Sequence, residues 1–343
     1  MTAAISLLFQ KVEEKHGWLL AAHCLAFLTA SEHGLSESEM EDLVSLDDEV
    51  LADLYQHHLP PVRRVPPLLW SRLRSCLAGH LVDSEAGGVM VANWRHGQVR
   101  QAARLRYLSR PRDLQYCHAV MADFFLGTYG GGTPKPFKYT EVQRQRFGLK
   151  SKEAEEDRQV PEMPLHFQSS TSPRYNLRKL SELCHHLARA GRTDDLCKHC
   201  LFDYSWLHAK LSSGPLASLL AEFEDAAILL EDAATVRQVR LVAACLRLGG
   251  AFLAGQPAML GPQLTGRLLP EQAHSPHIHS LLRQCDRWQL TYTLSPPLVS
   301  LSLPHPMAPS QLHNCHSHYL SPTSLTVNLS LPRLSLSPPH LIS

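Results

Sequence analysis

The most restrictive feature of this sequence is a hairpin pattern enclosed by helical patterns. Two β-prone runs, residues 81–82 and 89–91, flank the sequence Glu-Ala-Gly-Gly, and this spacing predicts two antiparallel strands joined by a tight turn. Helical patterns precede the hairpin, and the sequence RHGQVRQAARLRYL predicts a helix directly after it. Helices followed by a two-stranded wing and another helix have the order of a winged-helix domain, which we place at residues 16–108.

Two kinds of signal predict the helices that precede the hairpin. Apolar residues recur with helical spacing in the leading segment, residues 1–15. Ser36 followed by Glu39 has the spacing of a capping box, and Ser45 followed by Asp48 repeats it. Each pair predicts the start of a short helix.

Residues 109–290 are predicted to form a second, α-helical domain. A segment rich in Gly, Pro, Lys and Glu, residues 130–174, is expected to be a connector with one charged helical stretch, KSKEAEEDRQ. The sequence NLRKLSELCHHLARAG that follows has an apolar helical face and a glycine at its end. The array is interpreted as TPR-like or superhelical, without a clear fixed period. Further helices are predicted at residues 193–201, 214–231, 234–254 and 274–288. The predicted fold class is therefore mainly α.

The last segment, residues 291–343, differs in composition from everything before it. Residues 295–343 contain 11 Leu, 11 Ser and 9 Pro. The last acidic residue is Asp286, and Arg333 is the single charged residue after Arg287. Alternating Leu, Ser and Pro give no helical apolar face, and proline removes the backbone donors that strands need. We therefore expect a disordered tail.

The net charge of +1 is a cancellation between two blocks. Residues 1–60 hold 2 basic and 11 acidic residues, whereas residues 61–150 hold 15 basic and 5 acidic residues. The second helix of the helix-turn-helix unit should enter the major groove, and the sequence places Asp47, Asp48, Glu49 and Asp53 on it. These four carboxylates would repel DNA phosphates. Nucleic acid is therefore an unlikely partner, although a DNA-binding winged-helix protein stays an alternative.

Several further patterns bear on location and chemistry. No apolar run is long enough to span a bilayer, and the N-terminus lacks the basic start of a signal peptide. Nine scattered cysteines without a secretory signal indicate reduced thiols and a cytoplasmic protein. The glycines of residues 130–132 are followed by prolines rather than by the Lys-Ser/Thr of a P-loop. We therefore expect no enzyme and no cofactor in this chain.

The sequence Cys197-Lys-His-Cys200 is a candidate for half of a zinc site, since zinc prefers four nitrogen or sulfur ligands. Cys184 and His186 lie upstream and would complete the four ligands across a helix pair. The alternative is a helix that carries two partly buried thiols. A zinc-stabilised interaction protein is thus a second alternative function.

The chain resembles the NACHT domain- and WD repeat-containing proteins, a family of STAND-type signalling NTPases. The segments that carry the resemblance are HGLSESEMEDLVSLDDEVLADLYQHHLPPVRRVPPLLWSRLR, the helix ending in RLRYL, MADFFLGTYGGG and YNLRKLSELCHHLARAGR. The resemblance covers residues 3–288. It implies that residues 1–15 are the end of a NACHT module or a leading helix, and that the chain is a fragment or truncated isoform without the P-loop and the WD-repeat propellers.

The resemblance also implies a function and a site. The chain would be a non-catalytic regulatory and interaction module of a signalling scaffold, with the NACHT module of a parent protein as a protein partner. ATP or ADP would bind that absent module, and no membrane or small-molecule substrate is expected. In this class of ATPase a winged-helix histidine contacts the nucleotide, and His96 is the nearest match by position. The alternative for His96 is a structural histidine at the start of a helix.

Overall fold

The structure is a computed structural model that describes residues 2–56, 63–151, 158, 160–167 and 174–294. These residues contain sixteen α-helices and two short antiparallel strand pairs. The helices of the first half are α1 (Thr2–His16), α2 (Trp18–Ala30), α3 (Glu37–Ser45), α4 (Asp48–Leu54), α5 (Pro67–Cys76), α6 (Gly97–Tyr107), α7 (Pro111–Leu126) and α8 (Glu141–Phe147). Those of the second half are α9 (Leu177–Arg189), α10 (Thr193–Leu196), α11 (Tyr204–Ser213), α12 (Leu216–Leu229), α13 (Ala233–Leu248), α14 (Gly250–Leu253), α15 (Leu260–Leu268) and α16 (Pro276–Leu294). The strands are β1 (Leu81–Ala86), β2 (Val89–Trp94), β3 (His166–Phe167) and β4 (Arg174–Tyr175). The predicted mainly α fold class is confirmed.

The predicted hairpin is present as β1 and β2, which pair antiparallel from Leu81 opposite Trp94 to Ala86 opposite Val89. Its turn is Gly87-Gly88, and both glycines have positive φ, as a two-residue hairpin turn requires. Leu35 forms an isolated bridge with Ala92 of β2 and so adds a one-residue third strand. The wing is thereby joined to the segment between α2 and α3.

The helices before the wing pack around α2, which is buried along almost its whole length. The Ser36 capping box is confirmed, because Ser36 accepts from the Glu39 amide and Glu39 accepts from the Ser36 amide. The second predicted cap is wrong. Asp47 caps α4 by accepting from two amides, while the Ser45 hydroxyl bonds to the Glu41 carbonyl inside α3. A carboxylate directly before the helix has replaced the more distant hydroxyl.

The helix that directly precedes the wing is α5, not the acidic α4. In a winged helix the second helix of the helix-turn-helix unit leads into the wing. The prediction that this helix carries Asp47, Asp48 and Glu49 is therefore wrong, because these residues belong to α4 and its cap. On α5, Arg74 forms ion pairs with Glu37 and Asp83, both at 2.5 Å. The charge of Arg74 is therefore largely neutralised.

The described part of the connector packs onto the winged-helix region. Phe137 is fully buried, and Lys135 pairs with Arg158 in an isolated antiparallel bridge. The Arg158 guanidinium is buried and reaches Asp48 at 2.5 Å. The helix of this segment is α8, capped by Thr140 and Gln143. Most of the charged stretch predicted to be helical lies outside the described residues.

The second half is an array of packed helices that begins with α9. Its neighbours include α7, α10, α11 and α12. The helix predicted at residues 193–201 changes to a π-helical turn at Cys197–Leu201, and the one predicted at 234–254 breaks at Gly249. Helix α16 runs to Leu294, into the predicted tail, and residues 295–343 of that tail lie outside the described residues.

Residues 1–296 form one compact unit. The domain boundary at residue 108 falls between α6 and α7, and its role as a boundary stays a prediction. Among the described residues, no helix combines the length and the apolar character needed to cross a bilayer.

Candidate functional site

The candidate site lies where α9 meets the segment between α2 and α3. Asn176 caps α9 by accepting from the Lys179 amide at 3.0 Å. Arg178, Glu182 and His186 follow at intervals of four residues, so all three project from one face of the helix. All three are buried. The polar face of α9 therefore faces the protein interior.

Arg178 connects α9 to the winged-helix region. Its Nε and Nη2 atoms donate to the two carboxylate oxygens of Glu39 at 2.8 and 3.0 Å. Nη2 also donates to the Gly34 carbonyl at 2.9 Å, and Nη1 donates to Glu182 at 3.3 Å. Burial alone lowers the pKa of Arg178, but the hydrogen bonds and charges of Glu39 and Glu182 outweigh burial and raise it. The guanidinium is thus a buried cation with four hydrogen bonds.

Glu182 is a fully buried carboxylate with an unusually large number of donors. The backbone amides of Glu32 and His33 donate to it at 3.1 Å each. The rings of His33 and His186 approach it at 3.3 and 3.1 Å. Burial raises the pKa of Glu182, but the hydrogen bonds of His186 and His33 prevail and hold it well below its usual range. Glu182 is therefore ionised in the folded chain.

A pair of buried histidines continues this network into α7. The Nδ1 atoms of His118 and His186 lie 2.8 Å apart, and the His186 ring stacks on Phe125 with nearly parallel planes. Burial, reinforced by the neighbouring His186 and His185, lowers the pKa of His118 to about 2. Burial also lowers the pKa of His186. Both rings are therefore neutral, and one of the two nitrogens at 2.8 Å must carry the shared proton.

A basic groove opens beside these histidines. It has a volume of about 670 Å³, and His118 and His185 form part of its wall. Three arginines, Arg100, Arg104 and Arg189, also line it. Arg100 is held in place by bonds to the carbonyls of Thr29 and Ser31. This groove presents positive charge next to the two imidazole rings.

The four residues of the predicted zinc site do not all converge. The buried thiols of Cys184 and Cys200 lie close enough to influence each other's pKa, and Cys197 is buried on the π-helical turn that also carries Cys200. His186 instead projects from the other side of α9 toward His118. Within the described ranges, the one group of three potential metal ligands is His118, His185 and His186. The zinc site on the cysteines stays a prediction.

His96 lies at the N-cap of α6, directly after the wing. Its side chain is exposed and makes no capping hydrogen bond. Its carbonyl accepts the first helical bonds from Val99 and Arg100. The nucleotide-sensing role predicted for His96 stays a prediction, and the exposed ring is available for contact with another molecule.

A second polar pocket, of about 850 Å³, lies between α2, α6 and α7. Nδ1 of His23, on its wall, donates to Asp47 at 2.6 Å. Burial lowers the pKa of His23, but the hydrogen bond and charge of Asp47 outweigh burial and raise it. Burial alone would raise the pKa of Asp47, but the hydrogen bond and the charge of His23 outweigh burial and lower it. The two groups therefore form an ion pair at mildly acidic pH.

This pair predicts a pH-dependent stability. The raised pKa of His23 stabilises the fold below the histidine's unfolded pKa, and this contribution is lost as the pH rises through the folded value. The lowered pKa of Asp47 stabilises the fold above the unfolded aspartate value, and this contribution is lost as the pH falls through the folded value. We expect His23→Gln to cost about 1–2 kcal/mol at about pH 5.5 and much less at about pH 8.5. Urea unfolding at both pH values measures this difference.

The matched control is His96→Gln, which alters an exposed histidine without a capping bond. It should leave the stability unchanged at both pH values. An equal loss for His23→Gln at both pH values would show that the ring contributes only by packing.

Sequence reasoning did not find the central residues of this site. Arg178 and Glu182 lie in a segment whose spacing predicts only an amphipathic helix. The signal that could have found them is the Arg-Glu-His series with a spacing of four on one face of α9. The partner carboxylate, Glu39, lies 139 residues away and has no such local signal.

Comparison with known proteins agrees with this architecture. Residues 1–115 match the family model described as "NWD1-like, winged helix-turn-helix domain". The chain is 31% identical to the human NACHT and WD repeat domain-containing protein 2 over 92% of its length. Over 89% of its own length, the chain is 36% identical to the mouse NACHT domain- and WD repeat-containing protein 1 and 35% identical to the human protein of the same name.

The aligned region is a much smaller share of these relatives than of the chain itself. The chain spans 19% of the length of each of the three. No solved structure gives a significant match to the chain.

Proposed function

Because the chain belongs to the NACHT domain- and WD repeat-containing protein family, we propose that it is a non-catalytic regulatory and interaction module. Its winged-helix region would bind the NACHT module of a parent protein, and the helical array would carry the resulting movement onward. ATP or ADP would be held by that NACHT module. The eight cysteines of the described residues are all free, which supports a cytoplasmic location.

The observation that carries this proposal is the buried network of Glu39, Arg178 and Glu182. A switch that works by rigid-body movement needs elements that move as a unit. Arg178 bonds to groups on both sides of the junction, and Glu182 accepts from the amides of Glu32 and His33. A displacement of the winged-helix region would therefore displace α9 with it.

The surface proposed to meet the NACHT module is the exposed start of α6. His96 is exposed there, and it stands at the end of the wing where the resemblance places a nucleotide contact. The ring has no capping bond to break, so it can form a new contact without loss of helix stability.

Binding of the complete chain to a purified NACHT module from a curated relative tests the proposal. We expect a complex in calorimetry whose affinity differs between the ADP- and ATP-loaded module. His96→Ala should reduce that nucleotide-dependent difference. The control is His80→Ala, a histidine on the approach to β1, which should leave the difference unchanged. Absence of binding to both nucleotide states would overturn the proposal.

The DNA-binding alternative has one observation in its favour, the position of α5 before the wing. That helix carries Arg72 and Arg74 and no acidic residue. Fluorescence anisotropy with duplex DNA at low and moderate salt tests it. A DNA-binding protein would lose affinity steeply with salt, and Arg72→Glu would weaken it further. The regulatory-module proposal expects no binding at either salt concentration.

A further inference from the structure

Three histidines converge on the seam where α7 packs against α9. His118 comes from α7, and the adjacent His185 and His186 come from α9. Each of the three has a ring nitrogen within 4.8 Å of the corresponding nitrogens of the other two. The ring centroids form a nearly equilateral triangle, with separations of 5.5, 5.1 and 5.0 Å. Three imidazoles in such an arrangement are the ligand set of an open zinc site.

Carboxylates hold two of these rings in the orientation that a metal ligand needs. Glu182 lies 3.1 Å from Nε2 of His186, so the Nδ1 atom of His186 can face a metal ion. Glu32 lies 3.0 Å from Nδ1 of His185, so the Nε2 atom of that ring can do the same. A carboxylate behind a histidine fixes its tautomer and strengthens it as a ligand. Arg189 also lies 3.0 Å from Nδ1 of His185. Metal binding through Nε2 requires that Nδ1 donates to Glu32 and does not accept from Arg189, so the guanidinium must turn away from the ring when the metal binds.

The distance between His118 and His186 requires only a small adjustment, whereas the ring nitrogen of His185, which lies within 4.8 Å of the other two, must approach them by up to about 1.5 Å. Two imidazole nitrogens at about 2.0–2.1 Å from a tetrahedral zinc ion lie about 3.3 Å apart. The Nδ1 atoms of His118 and His186 are 2.8 Å apart, so they must separate by about half an ångström. The bound ion would take the place of the proton between these two Nδ1 atoms, and that proton would move to Nε2 of His118, because a neutral imidazole keeps one N–H when its other nitrogen binds a metal. The charge of the ion would be balanced by Glu182 and Glu32.

The fourth coordination position would face the basic groove. His118 and His185 line that groove together with Arg100, Arg104 and Arg189. Water or a small anion can therefore reach the ion from this side, whereas Phe125 covers His186. We propose that His118, His185 and His186 bind one Zn²⁺ ion, with a fourth position open to the basic groove, and that the ion clamps α7 to α9.

Zinc binding to the full-length chain tests this site. The sequence also carries His313, Cys315, His316 and His318 near its end, so the starting protein has His316→Asn and His318→Asn to suppress binding there. After dialysis against zinc, we expect elemental analysis to find one more equivalent of zinc per chain in the starting protein than in its His185→Asn variant. Calorimetry with ZnCl₂ should show a site that His185→Asn weakens at least tenfold. Zinc should raise the thermal midpoint of the starting protein but not that of His185→Asn.

Two controls separate this site from the alternatives. His199→Asn alters another partly exposed histidine, on the π-helical turn, and should leave zinc affinity unchanged. The double variant Cys197→Ser, Cys200→Ser removes the thiols of the predicted cysteine site and should also retain the metal. His185 is only partly buried, so its variant should fold, and circular dichroism of the metal-free proteins verifies this.

The spectrum of the cobalt-substituted protein adds an independent readout. Nitrogen ligands give a tetrahedral Co²⁺ spectrum without the intense thiolate charge-transfer band. Equal zinc contents of the starting protein and His185→Asn would overturn the proposal and leave a hydrogen-bonded histidine pair. Loss of zinc in the cysteine variant alone would overturn it in favour of the thiol site.

Discussion

Arg178→Met is expected to lower the free energy of unfolding by about 3–5 kcal/mol, since it removes one partner of a buried ion pair. The substitution leaves the carboxylates of Glu39 and Glu182 buried without their cation and the Gly34 carbonyl without its donor. Guanidinium unfolding monitored by circular dichroism measures the loss. We also expect separation of the single transition into two, because Arg178 joins the winged-helix region to α9.

The control for this experiment is Arg110→Met. Arg110 is exposed and pairs with Asp113 one helical turn away, so its loss should cost less than about 0.5 kcal/mol. The double variant Arg178→Met, Glu39→Gln should recover part of the loss, because one unpaired charge is removed while the amide oxygen can still close the cap of α3. A loss for Arg178→Met no larger than that for Arg110→Met would show that the network contributes little.

Gly34→Ala is expected to destabilise the winged-helix region by about 3–4 kcal/mol, the sum of an unfavourable backbone conformation and a steric clash. Gly34 has a φ of +91°, and a Cβ atom there would lie 2.4 Å from the Ala92 carbonyl oxygen. The adjacent Leu35 forms the bridge that ties this segment to the wing. Relief of the clash must therefore displace β2 or the Arg178 acceptor carbonyl. Thermal and guanidinium unfolding measure the effect.

Gly17→Ala separates the two contributions. Gly17 has a nearly identical φ of +88°, but nothing lies within 4 Å of a Cβ atom built there. Gly17→Ala should lower the free energy of unfolding only by the contribution of the backbone conformation, about 1–2 kcal/mol. If the two variants are equally destabilised, the contact between Gly34 and the wing is not the reason that glycine is required.

Features with local signals could be predicted from the sequence. The hairpin follows from β-prone runs around two glycines, and the start of α3 follows from Ser36 and Glu39. In both cases the residues that determine the structure lie within a few positions of one another. The family was likewise recognised from contiguous segments. The start of α4 was misplaced because Ser45 and Asp47 compete for one helix terminus, and only packing decides between them.

The candidate site could not be predicted in the same way. Arg178 and Glu39 are 139 residues apart, and His118 and His186 are 68 apart. Neither separation corresponds to a helical or strand period, so nothing in the spacing pairs these residues. The prediction therefore joined His186 to the cysteines nearest in sequence, although residues two positions apart on a helix, such as Cys184 and His186, face opposite sides.

The distance along the chain between Glu39 and Arg178 also sets an order of events during protein synthesis. At about 5–20 residues per second, α9 is synthesised roughly 7–30 s after α3. Through that interval the nascent winged-helix region has a carboxylate at Glu39 that closes its own helix cap but has no cation beside it. Until α9 leaves the ribosome, the Glu39 carboxylate and the Gly34 carbonyl lack the guanidinium that bonds to them in the folded chain, and chaperones or other basic side chains can contact them.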